Sequence, residues 1–190
     1  MPNLPDLNLR HLDAVATAAR LGSISAASQA MNLSQPALTQ AVAKVETLLG
    51  HKLFDRQPGG VAATEAGRLI AGRIEHALDY VARGGQSVRR GARLPPLPHI
   101  ERRITLGQLR ALIAVDRAGS FAHAAKQTAL SEPAIHRAAR DLERLLGVAL
   151  LTRQGRTVQP TPAAIRLLRF ARLAHAELEA GFDDLAALLS

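Results

Sequence analysis

Displaced by 97 residues, the chain aligns with itself without a gap. From Leu9 to Arg68, about 22 of 60 positions are identical to their counterparts. Gly22-Ser23 meets Gly119-Ser120, and Leu33-Ser34 and Pro36-Ala37 meet Leu130-Ser131 and Pro133-Ala134. Glu46, Leu48, Leu49 and Gly50 meet Glu143, Leu145, Leu146 and Gly147, and Arg56-Gln57 meets Arg153-Gln154. Two copies cannot make a solenoid, which needs at least three stacked repeats. Each copy carries its own apolar stripe, so the repeat predicts two small domains in tandem. With 3% aromatic residues and abundant Ala and Leu, both copies favour helices over sheets.

Within the first copy, Ser34–Gly50 predicts a helix with two unlike faces. Leu38, Val42, Val45 and Leu49 fall on one apolar stripe. Pro36, Thr39, Gln40 and Ala43 lie opposite, with no large apolar side chain among them. Ser34 stands at the N-cap, Pro36 in the first turn and Gly50 at the C-cap. Such a helix buries one side and offers hydrogen-bonding groups on the other, which suits the base edges of a DNA major groove.

The preceding chain predicts a helix opened by Asn8, with Leu9, Leu12, Ala16 and Ala19 on one side, ending near Gly22. Ser23 opens a second short helix, and Met31-Asn32-Leu33 turns into the third; residues 1 to 7 read as a loose arm. Short helix, tight turn and outward-facing helix form a helix-turn-helix over about 24–43, repeated over about 121–140. After Gly50, Leu53–Arg56 and Val61–Ala63 flank Gln57-Pro58-Gly59-Gly60, a strand–turn–strand wing. Thr64 then opens a long helix with Ala66, Leu69, Ile70, Ile74, Ala77, Leu78 and Val81 on one stripe, expected to stop at Gly84-Gly85. Residues 86–104, with Arg89, Arg90, Arg93, Pro95-Pro96-Leu97-Pro98, Arg102 and Arg103, read as an extended linker, its arginines either on phosphate or in solvent. The expected organisation is therefore mostly α: module 1 over 8–85, linker over 86–104 and module 2 over 105–190, with the second long helix from about Ala163 to Leu189.

Charge narrows the partner. The chain carries a net +8 and a pI near 11.3. Residues 8–90 hold ten Lys/Arg against six Asp/Glu, and residues 102–190 thirteen against eight, so both halves are basic. An anionic partner follows, nucleic acid before a membrane surface. The absence of Cys removes disulfides and Cys-based zinc modules. No apolar run reaches membrane-spanning length, and Met1–His11 lacks a signal-peptide layout, so a soluble cytoplasmic protein is expected. The His residues are scattered, with no HExxH and no P-loop; neither catalysis nor a metal or cofactor is expected.

The ordered set Leu9-Arg10-His11-Leu12, Gly22-Ser23, Leu33–Leu38, Glu46, Leu49-Gly50, Leu53–Arg56 and Thr64–Gly67 resembles the LysR-type winged helix-turn-helix family. The resemblance spans nearly all of each half. It implies a sequence-specific transcription regulator that binds double-stranded DNA. The third helix would enter the major groove, the wing would lie on backbone or minor groove, and the long helix would pair subunits. It carries DNA contact onto Ser34, Gln35, Pro36, Thr39, Gln40 and Arg56. Ser34 would donate to phosphate or serve only as a cap. Gln35 suits adenine and Pro36 a thymine methyl. Gln40 is either a reader or solvated. Arg56 suits a narrow minor groove, or pairs with Asp55 or Glu65.

The second copy keeps the buried stripe as Ile135, Ala139, Leu142 and Leu146 but rewrites the open face. Its corresponding residues are Ser131, Glu132, Pro133, His136, Arg137 and Arg140, with Arg153 and Arg156 in the wing. It either binds DNA with another preference or is a degenerate copy kept for protein interaction. The long helices pair either within one chain, as a pseudo-dimer, or between chains, as a homodimer. The family normally continues into an α/β effector-binding domain, so the chain is either a DNA-binding fragment, the favoured expectation, or a regulator without a sensor domain, with a small-molecule inducer only where such a domain follows.

Overall fold

Local capping decides where each helix begins, and it does so twice. In the computed structural model, which describes residues 8–155 and 157–188, α1 spans Leu9–Leu21, α2 Ile24–Ala30 and α3 Gln35–Leu49. The side-chain oxygens of Asn8, Ser23 and Ser34 accept from the backbone N–H of Arg10, Ala26 and Ala37 at 2.9, 3.2 and 3.3 Å. Gly22 and Gly50 close α1 and α3 in the left-handed region. Strands β1 (Phe54–Gln57) and β2 (Gly60–Ala63) pair antiparallel, Arg56 opposite Val61, and α4 runs Glu65–Gly91. The second copy has α5 (Leu106–Ala118), α6 (Phe121–Gln127), α7 (Glu132–Leu146), β3 (Leu151–Gln154), β4 (Thr157–Pro160) and α8 (Pro162–Leu188). Every one of these begins and ends 97 residues after its counterpart. The expected mostly helical, tandem winged architecture is the one observed.

Contacts divide the chain into two units. The first takes the chain up to Leu78 and again from His175; the second is Asp79–Ala174. In the first, α1 and α3 pack most extensively, around Leu9, Leu12, Val15, Leu38, Val42, Val45 and Leu53, all buried. Leu49, expected in this stripe, is only half-buried; Ala41 and Glu46 are buried instead. Ile70 and Ile74 of α4 are buried, as are Leu178, Phe182 and Leu185 of α8. In the second unit, Leu109, Leu112, Val115, Ile135, Leu142, Leu146 and Leu150 are buried, with Val81 and Val88 of α4 and Leu167 and Leu168 of α8.

The wing turn is tighter than the sequence suggests. Gln57 and Gly60 belong to the strands, leaving the two-residue loop Pro58-Gly59 with Gly59 at φ 92°. The return strand docks on the end of α1: Val61 N–H donates to Gly22 C=O at 3.1 Å. A Cβ at Gly60 would lie 2.4 Å from that carbonyl oxygen, so the close approach requires glycine.

Helix α4 does not stop at Gly84-Gly85 but continues to Gly91. These glycines admit neighbours rather than end the helix. A Cβ at Gly84 would lie 2.8 Å from Phe170 Cβ, and one at Gly85 2.7 Å from Ile100 Cδ1. The linker also departs from an extended spacer. Residues 86–91 are helical, and Ile100–Arg102 form a short 3-10 turn with Ile100 buried. The Gln86 amide exchanges hydrogen bonds with the Leu97 backbone at 2.6 and 3.2 Å. Arg89 donates to the carbonyls of Pro95 and Leu146 at 2.8 and 3.1 Å. Proline removed backbone donors from this stretch, and side chains of α4 fix it instead.

Segments of α4 and α8 meet antiparallel inside each unit. In the first, Arg73 binds Glu177 at 3.0 Å and Asp184 at 2.7 Å, while His76 faces Glu177 at 3.7 Å. Hydrogen bonds donated to Asp184 and then to Glu177 raise the Arg73 pKa above its usual value. In the second, Gly84 meets Phe170, and Gly91 meets the Arg166 guanidinium.

Candidate nucleic-acid interface

The inward stripe of α3 leaves the other side free. Ser34, Gln35, Pro36, Thr39 and Gln40 are all exposed, as are Ala43, Lys44 and Thr47 beyond them. Ser34 is a cap, yet capping uses only its oxygen, so the hydroxyl proton remains a donor at the helix start. Among the described residues no hydrogen bond or ion pair engages the side chains of Gln35, Thr39 or Gln40. The same holds for Arg56, which is exposed on β1 and paired with neither Asp55 nor Glu65. Between α1 and α3 lies a cleft of about 390 Å³ lined by Arg10, His11, Leu33, Gln40 and Lys44, among others. Burial, then Lys44 and Arg10, hold the His11 pKa below its usual value, so the ring stays neutral near pH 7.

A residue that sequence reasoning passed over ties this face to the wing. Glu46 lies on the inner side of α3, 9% exposed. Its carboxylate accepts from Leu53 N–H at 2.8 Å and Phe54 N–H at 3.4 Å, and pairs with Lys52 at 3.0 Å. The wing therefore starts from a fixed point on the third helix. Glu143 repeats the device, accepting from Leu150 and Leu151 N–H at 2.8 and 3.1 Å. The signal was available: a carboxylate beside an apolar stripe, identical in both copies. A buried charge in that position calls for hydrogen-bond partners.

In the second copy, Ser131 caps α7 through Ala134 N–H at 3.3 Å. Ser131, Glu132, Pro133, Arg137 and Arg140 are exposed. His136 is half-buried: its ring stacks on Phe121 with centroids 3.6 Å apart, and its Nε2 lies 3.8 Å from Glu132. Arg153 is exposed on β3, and Arg156 lies outside the described residues. Val158 N–H donates to Gly119 C=O at 2.8 Å, docking this wing as the first is docked.

Three helices, a two-stranded wing anchored by a glutamate of the third helix and a long closing helix, made twice, define a tandem winged helix-turn-helix protein. The sequence pattern of bacterial regulatory helix-turn-helix proteins of the lysR family matches residues 9–68 and again 106–165. Those matches take up more than half of the chain, and it belongs to that family of transcription regulators. It is 29% identical over 181 residues to the HTH-type transcriptional regulator GalR of Pseudomonas putida, covering 95% of this chain and 44% of that protein. It is 38% identical over 79 residues to the transcriptional activator AmpR of Rhodobacter capsulatus, covering 42% of this chain and 27% of that one. The crystal structure of VV2_1132, a LysR family transcriptional regulator, is 27% identical with a TM-score of 0.43, covering 47% of this chain and 30% of that one. The chain thus spans less than half the length of these relatives. No helix among the described residues is long and apolar enough to cross a membrane.

Proposed function

We propose that the chain acts as a cytoplasmic, non-enzymatic, DNA-binding transcription regulator or as the DNA-binding part of one, with two readers of double-stranded DNA, modules 8–85 and 105–190. The observation that carries this reading is the outward face of α3, exposed and uncommitted along Ser34, Gln35, Pro36, Thr39 and Gln40. The third helix would lie in the major groove with Arg56 on backbone or minor groove.

Titration against salt tests it. If each module neutralises roughly four or five phosphates, two engaged modules give a log–log slope near −7 to −9. No binding to any duplex at low salt would overturn the proposal, and a slope near −4 would mean one engaged module. Gln35→Ala should relax sequence preference with about a five- to hundredfold loss on the preferred site, whereas Arg56→Ala should weaken all sequences alike. Equal losses on preferred and random duplexes from Gln35→Ala would end its role as a base reader.

The antiparallel α4–α8 contacts inside each unit support a pseudo-dimer within one chain over a homodimer through these helices. Analytical ultracentrifugation at nanomolar concentration should therefore give monomer; dimer alone would contradict it. A second reading, in which module 2 serves protein interaction, draws on His136, whose ring is committed to Phe121 rather than offered outward.

A further inference from the structure

Helices α3 and α7 are one scaffold carrying two different readers. Both start from a serine cap at φ −71° and ψ 151°, run fifteen residues and end on a left-handed glycine. Their buried stripes share the positions of Leu38, Val42 and Val45, occupied in α7 by Ile135, Ala139 and Leu142. The exposed Gln40 and Ala43 of α3 become Arg137 and Arg140 in α7.

The charged groups of α7 do not all remain available. His136 is stacked on Phe121, and its Nε2 lies 3.8 Å from the Glu132 carboxylate. Arg144 is held by Asp141. Arg137 and Arg140 are exposed, and among the described residues no hydrogen bond or ion pair engages either. Arg137 sits in the second helical turn, and side chains near the start of a recognition helix meet base edges. Arg140 follows three residues later on the neighbouring strip of the same face.

We propose that the two modules of one chain read unlike half-sites, and that Arg137 reads a guanine in the half-site of the second. The inference rests on the DNA-binding reading above. A guanidinium fork matches O6 and N7 of guanine, whereas the amide of Gln40 matches N6 and N7 of adenine. Palindromic operators mirror two identical readers related by a two-fold axis. Here the paired readers differ at the base-reading positions, so a palindrome satisfies only one of them. A chain that reads two unlike half-sites also binds DNA in one orientation, which gives the complex a direction along the duplex.

Selection of the full chain on randomised duplexes, followed by sequencing, tests this. Two dissimilar motifs are expected, one containing the guanine. Arg137→Gln should turn that single position from guanine toward adenine, lose about tenfold on the guanine site and leave the other motif unchanged. Replacing that guanine by 7-deazaguanine, which lacks the N7 acceptor, should cost the wild-type chain about tenfold and the variant little. A palindromic motif, a guanine preference retained by Arg137→Gln, or an equal loss on every sequence would overturn the inference alone. Failure of the wild-type chain to bind any duplex at low salt would instead remove the DNA-binding reading beneath it.

Discussion

Glu46→Ala should lower the stability of the first unit by about 2–4 kcal/mol, because it leaves buried backbone donors without acceptors. Leu53 is fully buried, so its N–H cannot turn to water once the carboxylate is gone. An orphaned buried group of this kind costs about 1–3 kcal/mol, and the longer bond from Phe54 N–H adds less. The Lys52 pair adds little, since its ammonium is largely exposed. Glu46→Gln keeps a carbonyl acceptor and should lose only about 1 kcal/mol. Urea unfolding followed by circular dichroism measures both, as a lower midpoint at unchanged slope. Glu143→Ala should act alike in the second unit, where Leu150 is also fully buried. Losses under about 0.5 kcal/mol for both alanine variants, the range of ordinary surface changes, would refute the anchoring role. Because β1 starts at this anchor, the variant should also weaken any contact made by Arg56.

What the sequence disclosed is what acts over short distances along the chain. The caps at Asn8, Ser23 and Ser34 reach two or three residues ahead, and Gly22 and Gly50 close helices with their own φ. The repeat then carried the helix-turn-helix 97 residues onward, and its boundaries in the second copy followed. What it concealed depends on neighbours far along the chain. Gly84-Gly85 has the composition of a helix stop, yet neither residue has positive φ, and their partners Phe170 and Ile100 cannot be read locally. The proline stretch 95–98 looked like a spacer because its anchors, Gln86 and Arg89, lie on a helix expected to have ended.

The outward face was legible as a face, but not as a set of committed and uncommitted groups. Ile24 and Thr39 in the first copy become Phe121 and His136 in the second, and only the second pair can stack. That paired change was visible once the copies were aligned. Its consequence was not: the His136 ring packs on Phe121, and Arg137 and Arg140 inherit the face.

Reversing that charge should give the largest loss in binding. Arg137→Glu with Arg140→Glu leaves the buried stripe of α7 untouched, since both side chains are exposed, so the fold should persist. Two linked modules gain from the effective concentration of the second at its site, a factor of about 10² to 10⁴ over either alone. The double variant should therefore bind a complete two-module site about 10² to 10⁴ times more weakly. Its salt slope should fall from near −7 to −9 toward −4, because one module's phosphates drop out of the count. On a duplex carrying only the first module's half-site, wild type and variant should bind alike to within about threefold, since a missing second site offers no linked gain. Fluorescence anisotropy on both duplexes over a salt series reads all three quantities. If the variant matches wild type on the complete site, the second module takes no part in binding DNA. Its open face, with His136 closed onto Phe121, is then better read as a surface for protein contact.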